Sequence, residues 1–333
     1  MDTNKNIPYI DLPEKKRKGA ILGAAFLWFF NLFFTFAMPI VYPNIMGYYD
    51  MMPIYAIFLA IASLAGCLIV PIGGKLGDKF GRKKVFVTVA SVRIILFIIC
   101  ISPICARPDR GALFCVVYLL STFIGSITGA YPQTILTDVT ANELRVKWFG
   151  IFGNIEGVAF LSGLFLGGFI TDLPTKLFGK EWPFGIFIFI TPILLTALIL
   201  LAINYENKPS ENPKPIDIKG SIILTFALCA MLAWCSLGDK LFPRTSALGI
   251  CILLVGIALC VFFLLFEKRQ ESPIIDTKLI TRNKNVGVSF WVQMLVAPFM
   301  TLCATTLSVF GQTSLHLSAT VAGTLAIPKN AIL

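Results

Sequence analysis

Charged residues are scarce in this sequence of 333 residues. Only 14% of its residues are charged, whereas a soluble domain has about 25%. Hydrophobic residues make up 56%, phenylalanine alone accounts for 29 positions, and the mean hydropathy is +0.81. A soluble core of this length could not bury so much apolar side chain. The composition therefore excludes a soluble globular protein and predicts a membrane protein.

Residues that bind metals or nucleotides are also few. The sequence has a single histidine and nine scattered cysteines without a C-x-x-C pair, which argues against a structural zinc site. Cys105 and Cys115 flank one predicted loop and could form a disulfide, although buried free thiols are the more common state. A G-x-x-x-x-G-K-[ST] motif is absent from the sequence, so ATP-driven transport by this chain is not expected. We expect no cofactor.

Long apolar runs dominate what remains. Each is long enough to cross a hydrocarbon core of about 30 Å as a helix, and helices satisfy their own backbone hydrogen bonds in lipid. A tenth run begins near Leu317. The first run is too long for the apolar region of a signal peptide and is predicted to be a retained span. The nine complete runs cover approximately residues 20–42, 51–72, 85–104, 112–136, 148–171, 182–205, 220–238, 246–266 and 286–311.

The loops between these runs differ strongly in charge. Alternate assignment places 20 lysines and arginines on one side of the membrane and six on the other. The positive-inside rule puts the basic side and the N-terminus in the cytoplasm, which predicts a multi-pass protein of the plasma (inner) membrane. Because the cations lie in short loops beside anionic lipid headgroups, they predict a lipid partner and no nucleic-acid partner.

A proline-rich polar segment divides the chain. Three prolines alternate with charged residues between residues 206 and 219, which indicates an extended linker after six spans. The fold class predicted is an all-α bundle of transmembrane helices. Its parts are a tail (1–19), a six-helix bundle (20–205), the linker (206–219), two linking helices (220–266), a loop (267–285) and the start of a second bundle (286–333).

The most polar short segment runs from Gly73 to Lys84 (GGKLGDKFGRKK) between the second and third spans. Topology explains its lysines but not its one carboxylate. Asp78 and Arg82 are four residues apart and can pair on one helical face. Gly77 and Gly81 allow close backbone approach.

Residues 74–84 resemble the signature loop of the major facilitator superfamily, G-x-L-x-D-[RK]-x-G-R-[RK]-[RK], in both sequence and position. Residues 157–168 are partly similar to the antiporter motif of that family, with Leu164 in place of proline. Residues 215–221, 272–276 and 315–323 are similar to its fourteen-span drug:proton antiporter branch.

The resemblance implies a mechanism for the loop. In the family, the aspartate that matches Asp78 rests against a helix N-terminus of the second bundle, and the arginine that matches Arg82 pairs with a carboxylate that Asp138 matches. These contacts would form a conformational latch that holds one state of an alternating-access cycle. By the same resemblance, Gly74 and Gly81 also belong to this latch. The implied activity is efflux of a small amphiphilic or cationic compound, driven by an ion gradient, H⁺ in particular.

The fifth span carries glycines four residues apart, a spacing that lets two helices approach closely. They predict either packing inside one bundle or a smooth helix at the moving interface between two bundles. The glycines are the pairs Gly153 and Gly157, and Gly163 and Gly167, together with Gly168 beside the second pair.

Two charges lie well inside predicted spans, Arg93 and Glu156. Charges at this depth are costly and indicate function or internal pairing. Arg93 and Glu156 could pair with each other, or Glu156 could be a protonatable site that couples H⁺ to cargo movement.

This sequence departs from the pattern of the drug-antiporter branch at two places. The branch has a carboxylate in span one that is missing here, and it has an arginine where this sequence has Ser121. Because spans one and four line the transport path in the family, the resemblance suggests the cavity residues Phe30, Asn31, Phe34, Tyr131 and Gln133.

Other functions stay open at this stage. They are an uptake carrier for a sugar, peptide or organic anion, a transporter-like receptor or non-transporting remnant, and a polytopic membrane enzyme. A single histidine gives little support to the enzyme, and the scarcity of buried cations favours export of a neutral or cationic compound. We expect the protein to be a monomer. About four more spans would complete a second bundle, so we expect these 333 residues alone not to transport.

Overall fold

The structure is a computed structural model that describes residues 12–173, 176–177, 180–181, 183–209, 217–238, 242–270 and 282–325. The tail before residue 12, most of the linker and the loop at 271–281 lie outside the described residues, and so do the predictions made for them.

Helices make up nearly all of the described chain, which confirms the all-α prediction. A two-residue strand, β1 (Lys176–Leu177), pairs antiparallel with β2 (Lys180–Glu181) between α6 and α7. The helices are α1 (Glu14–Tyr48), α2 (Tyr55–Phe80), α3 (Arg82–Ile101), α4 (Gly111–Ser126), α5 (Tyr131–Val139), α6 (Asn142–Asp172), α7 (Gly185–Asn204), α8 (Ile218–Leu237), α9 (Ala247–Glu267), α10 (Lys284–Thr313) and α11 (Ala319–Thr324).

The protein is a multi-pass membrane protein. Within the described ranges, six helical segments are long and apolar enough to cross a membrane. The remaining predicted spans coincide with α2, α8 and α10, which have 26, 20 and 30 residues and rise about 1.5 Å per residue. The six segments are Glu14–Tyr48, Arg82–Ile101, Pro108–Val139, Asn142–Asp172, Gly185–Asn204 and Ala247–Glu267.

Helix α1 lies at the centre of the packing. It contacts α5, α6 and α7 within the first bundle and α10 beyond it, while α8 and α9 pack mainly on each other. The core between α1, α3, α4 and α7 is aromatic, because large rings bury the most apolar surface per residue. Its fully buried rings are Phe30, Phe97, Phe114, Tyr118 and Phe187.

The fourth predicted span is not one continuous helix. It ends as α4 at Ser126 and resumes as α5 at Tyr131. Pro132 explains the break, because it has no N–H for the carbonyl of Thr128 and its ring would clash there. The turn is held by tighter bonds instead, and the N–H of Thr128 donates to the oxygen of Gly125 at 3.2 Å.

The thiols of Cys105 and Cys115 are free and buried, so the structure does not form the disulfide considered above. Burial raises the pKa of the Cys105 thiol, which keeps it protonated and unreactive. The hydroxyl of Tyr49 donates to the oxygen of Cys105 at 2.7 Å and fixes this loop. In the part of the chain that the structure describes, no group of three His, Cys, Asp or Glu side chains could hold a metal ion.

Candidate functional site

Four polar side chains meet at one end of the first bundle, which we call the basic end because it carries the loop between α2 and α3. Arg82, the first residue of α3, donates to Asp78 Oδ1 at 2.9 Å and also to Asp138 Oδ2 at the end of α5. The hydroxyl of Tyr205, just after α7, donates to Asp138 Oδ2 at 2.7 Å. We call Asp78, Arg82, Asp138 and Tyr205 the basic-end network. It joins α2, α3, α5 and the residue that follows α7.

The backbone of the loop requires glycine at one position. Gly81 ends α2 and begins α3 with a φ of +89°, a conformation that residues with a Cβ rarely adopt. A Cβ at this position would also collide with the side-chain amide of Asn207. At Gly74, by contrast, no described atom lies within 4 Å of the position that a Cβ would take. Of the two glycines assigned to the latch, Gly81 is the one that the local geometry demands.

Asn207 connects both sides of the loop. Its amide Nδ2 donates to the oxygen of Phe80 at 3.2 Å, and its Oδ1 accepts from the N–H of Lys84 at 3.0 Å. The first N–H groups of a helix have no partner inside the helix, and Gly81 has no side chain to cap them. Asn207 therefore caps α3 from the segment after α7.

Sequence reasoning missed both Tyr205 and Asn207. Topology alone places the end of the sixth span on the same side as the loop, which was the available signal. Polar residues at the start of a charged linker are ordinarily solvated, so nothing in the pattern distinguished these two from their neighbours.

Two of the five cavity candidates, Tyr131 and Gln133, lie on α5, whereas the other three lie on α1. The hydroxyl of Tyr131 donates to the oxygen of Gly73 at 2.8 Å, and its ring lies where a Cβ on Gly77 would be. Tyr131 thus fixes α5 to α2, and it is buried there. Gln133 is exposed. The other three, Phe30, Asn31 and Phe34, lie on α1, where the rings of Phe30 and Phe34 contact the guanidinium of Arg93.

The glycines of α6 divide into two groups. A Cβ on Gly163 or Gly167 would press against α1 near Ala37, and one on Gly168 would meet the backbone of Ala319 in α11. Gly153 and Gly157, nearer the basic end, have no described atom within 4 Å of a Cβ. Among these five glycines, close helix approach therefore involves only the half of α6 that lies away from the basic end.

At the end of the bundle away from the basic end, α6 and α1 also make polar contacts with α11 and α10. Asp172, the last residue of α6, accepts from the N–H groups of Ala319 and Thr320 at 3.0 and 2.7 Å and from Thr320 Oγ1 at 2.6 Å. On α1, Asn44 donates to Gln312 Oε1 at 2.8 Å. We call the Asp172 and Asn44 contacts the opposite-end contacts.

Arg93 and Glu156 are not brought together. Arg93 is 7% exposed and packs its guanidinium over the rings of Phe30, Phe34 and Phe97. Glu156 is exposed on α6, next to Gly157, where an added Cβ would have open space. Within the described residues, no ion pair includes either side chain.

Comparison with known proteins agrees with this architecture. The family model of the Major Facilitator Superfamily matches residues 20–329. The multidrug transporter protein MdtP of Bacillus subtilis is 26% identical over 322 residues, which cover 95% of this chain and 56% of that protein. The multidrug resistance protein 3 of the same organism is 26% identical over 80% of this chain and 49% of its own length.

A further relative is the riboflavin transporter RibZ of Clostridioides difficile, which is 30% identical over 68% of this chain and 47% of its own length. The chain thus spans about half the length of the curated relatives that it matches. The family match covers nearly all of the chain, and it coincides with a helical bundle whose signature loop is folded around Arg82. The chain belongs to the major facilitator superfamily.

Proposed function

We propose that the protein carrying this chain is a secondary active transporter that exports a small amphiphilic compound in exchange for H⁺. The observation that carries the proposal is the position of Arg82 between the carboxylates of Asp78 and Asp138. A partly buried guanidinium that binds carboxylates of two other helices is a discrete arrangement that can be made or broken as a unit. The names of the multidrug relatives support export as the direction.

Polar contacts at the two ends of the first bundle support the proposal of alternating access. The basic-end network holds the loop between α2 and α3 against α5 and the segment after α7. The opposite-end contacts join α6 and α1 to α11 and α10. A carrier alternates by closing one end while the other opens. We take the opposite end as the closed one, because the glycines of α6 that lie there pack tightly on described neighbours and those near the basic end do not.

Glu156 is our candidate for the coupling proton site. It is the one carboxylate of the sequence that lies in the middle of a span, and a carboxyl in that position can exchange a proton as its surroundings open and close. We further propose that the protein acts as a monomer in the plasma membrane with its N-terminus in the cytoplasm, since 20 of 26 loop and terminal cations are assigned to that side.

Substrate-dependent proton flux tests the proposal. Everted membrane vesicles that contain the protein are energised to an acidic interior, and quenching of acridine orange is followed while a panel of amphiphiles is added. We expect at least one compound to release protons with the wild type, and we expect Asp78→Asn and Glu156→Gln to reduce that release strongly. Asp109→Asn, in the loop before α4, is the matched control and retains flux. Full flux in both Asp78→Asn and Glu156→Gln would refute the assigned roles.

A further inference from the structure

Arg93 is a buried cation whose surroundings are unusual for its charge. Its Cζ lies 4.9 Å from the ring centroids of Phe30 and Phe34 and 5.3 Å from that of Phe97. On the α4 side the guanidinium packs so closely on Gly125 that a Cβ there would lie 2.7 Å from Nε. The aromatic faces attract the cation, but they provide no conventional acceptor for its N–H groups.

Three buried hydrogen-bond donors, on Arg93 itself and on the two helices that pack against it, are unsatisfied. Arg93 Nε, Asn31 Nδ2 and Ser121 Oγ are buried and have no hydrogen-bond partner among the described residues. Asn31 lies between Phe30 and Phe34 on α1, and Ser121 lies one turn before Gly125 on α4. Buried polar groups are nearly always hydrogen-bonded, so three unpaired donors on helices that flank one guanidinium call for an acceptor.

Within the described part of the chain, no carboxylate supplies that acceptor. Glu156 is the only acid that the sequence places in the middle of a span, and it is exposed on α6. A cation buried without a counter-ion is strongly unfavourable. Among the described residues Arg93 therefore lacks a charged acceptor, and a bound anion would supply one.

We propose that Arg93, Asn31 and Ser121 form a binding site for the carboxylate of an aromatic or otherwise apolar cargo. The proposal rests on the transport function proposed above and gives its cargo a charge. A carboxylate accepts from several donors at once and forms a strong, charge-assisted bond with a guanidinium. The rings of Phe30, Phe34 and Phe97 provide the apolar surface that binding sites for small molecules usually have. This assignment differs from the neutral or cationic cargo that the sequence favours.

The faces of α1 differ in exposure beside this site. Thr35 is exposed and Asn31, one turn earlier, is only partly buried, whereas Phe30 is completely buried. The face of α1 that carries Thr35 and Asn31 is therefore the more accessible one for a ligand.

Equilibrium binding with three probes of the same shape tests the proposal. Calorimetric titration of the purified protein in detergent compares 2-naphthoate, 2-naphthamide and 2-naphthylmethylammonium, which share one ring system and differ in charge. We expect 2-naphthoate to bind at least about tenfold more tightly than 2-naphthamide, because a charge-assisted bond is roughly twice as strong as a neutral one. Equal affinities, or tightest binding of the ammonium probe, would overturn the assignment.

Variants locate the site. Arg93→Gln is expected to abolish the preference for 2-naphthoate, and Arg93→Lys to keep part of it. Because Arg93→Gln could fail to fold, Ser121→Ala and Asn31→Ala provide smaller changes that each weaken 2-naphthoate and leave 2-naphthamide unchanged. Lys147→Gln, at an exposed cation of α6, is the control for general charge attraction and keeps the preference. A preference that survives Arg93→Gln, Ser121→Ala and Asn31→Ala would place the anion elsewhere and refute the proposal.

Competition with chloride distinguishes a cargo site from a site for inorganic anions. Chloride in excess should leave the affinity for 2-naphthoate nearly unchanged, and full competition by chloride would show an inorganic anion site instead of a cargo site.

Binding at equilibrium requires no flux. A failure of the transport proposal therefore appears in the vesicle experiment, and a failure of the anion site appears in the titrations.

Discussion

The two carboxylates that share Arg82 differ in how deeply they are buried. The side chain of Asp78 is 45% exposed and that of Asp138 is 11% exposed. Asp138 also accepts a bond from Tyr205. Exposed ion pairs contribute little because water and salt screen them, so the two acids should have different effects when neutralised.

We expect Asp138→Asn to lower the free energy of unfolding by about 1.5–3 kcal/mol, the usual worth of a hydrogen bond to a charged group. Asp78→Asn should lower it by at most about 1 kcal/mol. Denaturant unfolding of the purified variants in one detergent measures both. Equal losses would contradict the difference in burial. If Asp78 is part of a latch, Asp78→Asn should impair transport more than its small effect on stability explains.

The two glycines of the loop give a second residue-level prediction. Gly81→Ala places a Cβ at a φ of +89° and against Asn207, and backbone strain of this kind costs about 1–3 kcal/mol. Gly74→Ala lies inside α2 with open space around it and should be neutral or stabilising by about 0.5–1 kcal/mol, since alanine favours helix. Thermal unfolding of both variants beside the wild type measures the difference. A Gly81→Ala protein as stable as Gly74→Ala would show that the loop does not require its positive φ.

Among the elements, helix α6 packs differently in its two halves. Gly163, Gly167 and Gly168 pack closely on α1 and α11, whereas a Cβ on Gly153 or Gly157 would meet no described neighbour from another element within 4 Å. The sequence left open whether this glycine series packs one bundle or forms a moving interface. In the structure, Gly168 faces α11, which belongs to the predicted second bundle, and Gly163 faces α1 of the first.

Alanine substitutions along α6 test this division. Gly168→Ala forces a methyl group against the backbone of Ala319 and should cost about 1–3 kcal/mol through overpacking. Gly157→Ala has room and should not reduce stability. Denaturant unfolding in detergent measures both effects. If the half of α6 near the basic end closes during transport, as we propose, Gly157→Ala should slow flux in the vesicle assay without affecting unfolding. Loss of stability in Gly157→Ala and none in Gly168→Ala would contradict the packing.

At the scale of the whole molecule, the sequence predicted what depends on local pattern. The apolar runs predicted the spans, since a helix in lipid must satisfy its own backbone. The spacing of Asp78 and Arg82 predicted their pairing, and the family resemblance pointed to Asp138. The spans and the pairing of Asp78 with Arg82 depend on residues that are close together in the sequence. The contact with Asp138 was predicted from the family resemblance.

Contacts that depend on tertiary arrangement could not be predicted in this way. The capping role of Asn207 requires the end of α7 to return beside Gly81, and no periodicity encodes that. Arg93 and Glu156 were equally deep in sequence, but helical rotation places one in the aromatic core and the other on an open face. The break at Pro132 was readable in principle, yet the apolar run around it favoured one continuous span.

The opposite-end contacts are the feature that joins the first bundle to the helices beyond it. Asp172, at the end of α6, binds the start of α11 and accepts three hydrogen bonds there from Ala319 and Thr320. A carboxylate at a helix N-terminus both satisfies free N–H groups and is favoured by the helix dipole. Asp172 should therefore hold the first turn of α11 against α6.

Removal of that charge provides a prediction about the molecule as a whole. Asp172→Asn keeps the shape but removes the charge and one acceptor oxygen, so hydrogen exchange of the amides of Ala319 and Thr320 should accelerate by about tenfold, the equivalent of roughly 1.4 kcal/mol. Asp109→Asn is the control, because Asp109 lies in the short helix before α4 and should leave exchange in α11 unchanged. Since the carrier that we propose closes this end while the other opens, Asp172→Asn should also shift the protein toward the state open at this end. Unchanged exchange at α11 in Asp172→Asn would show that Asp172 does not hold this end closed.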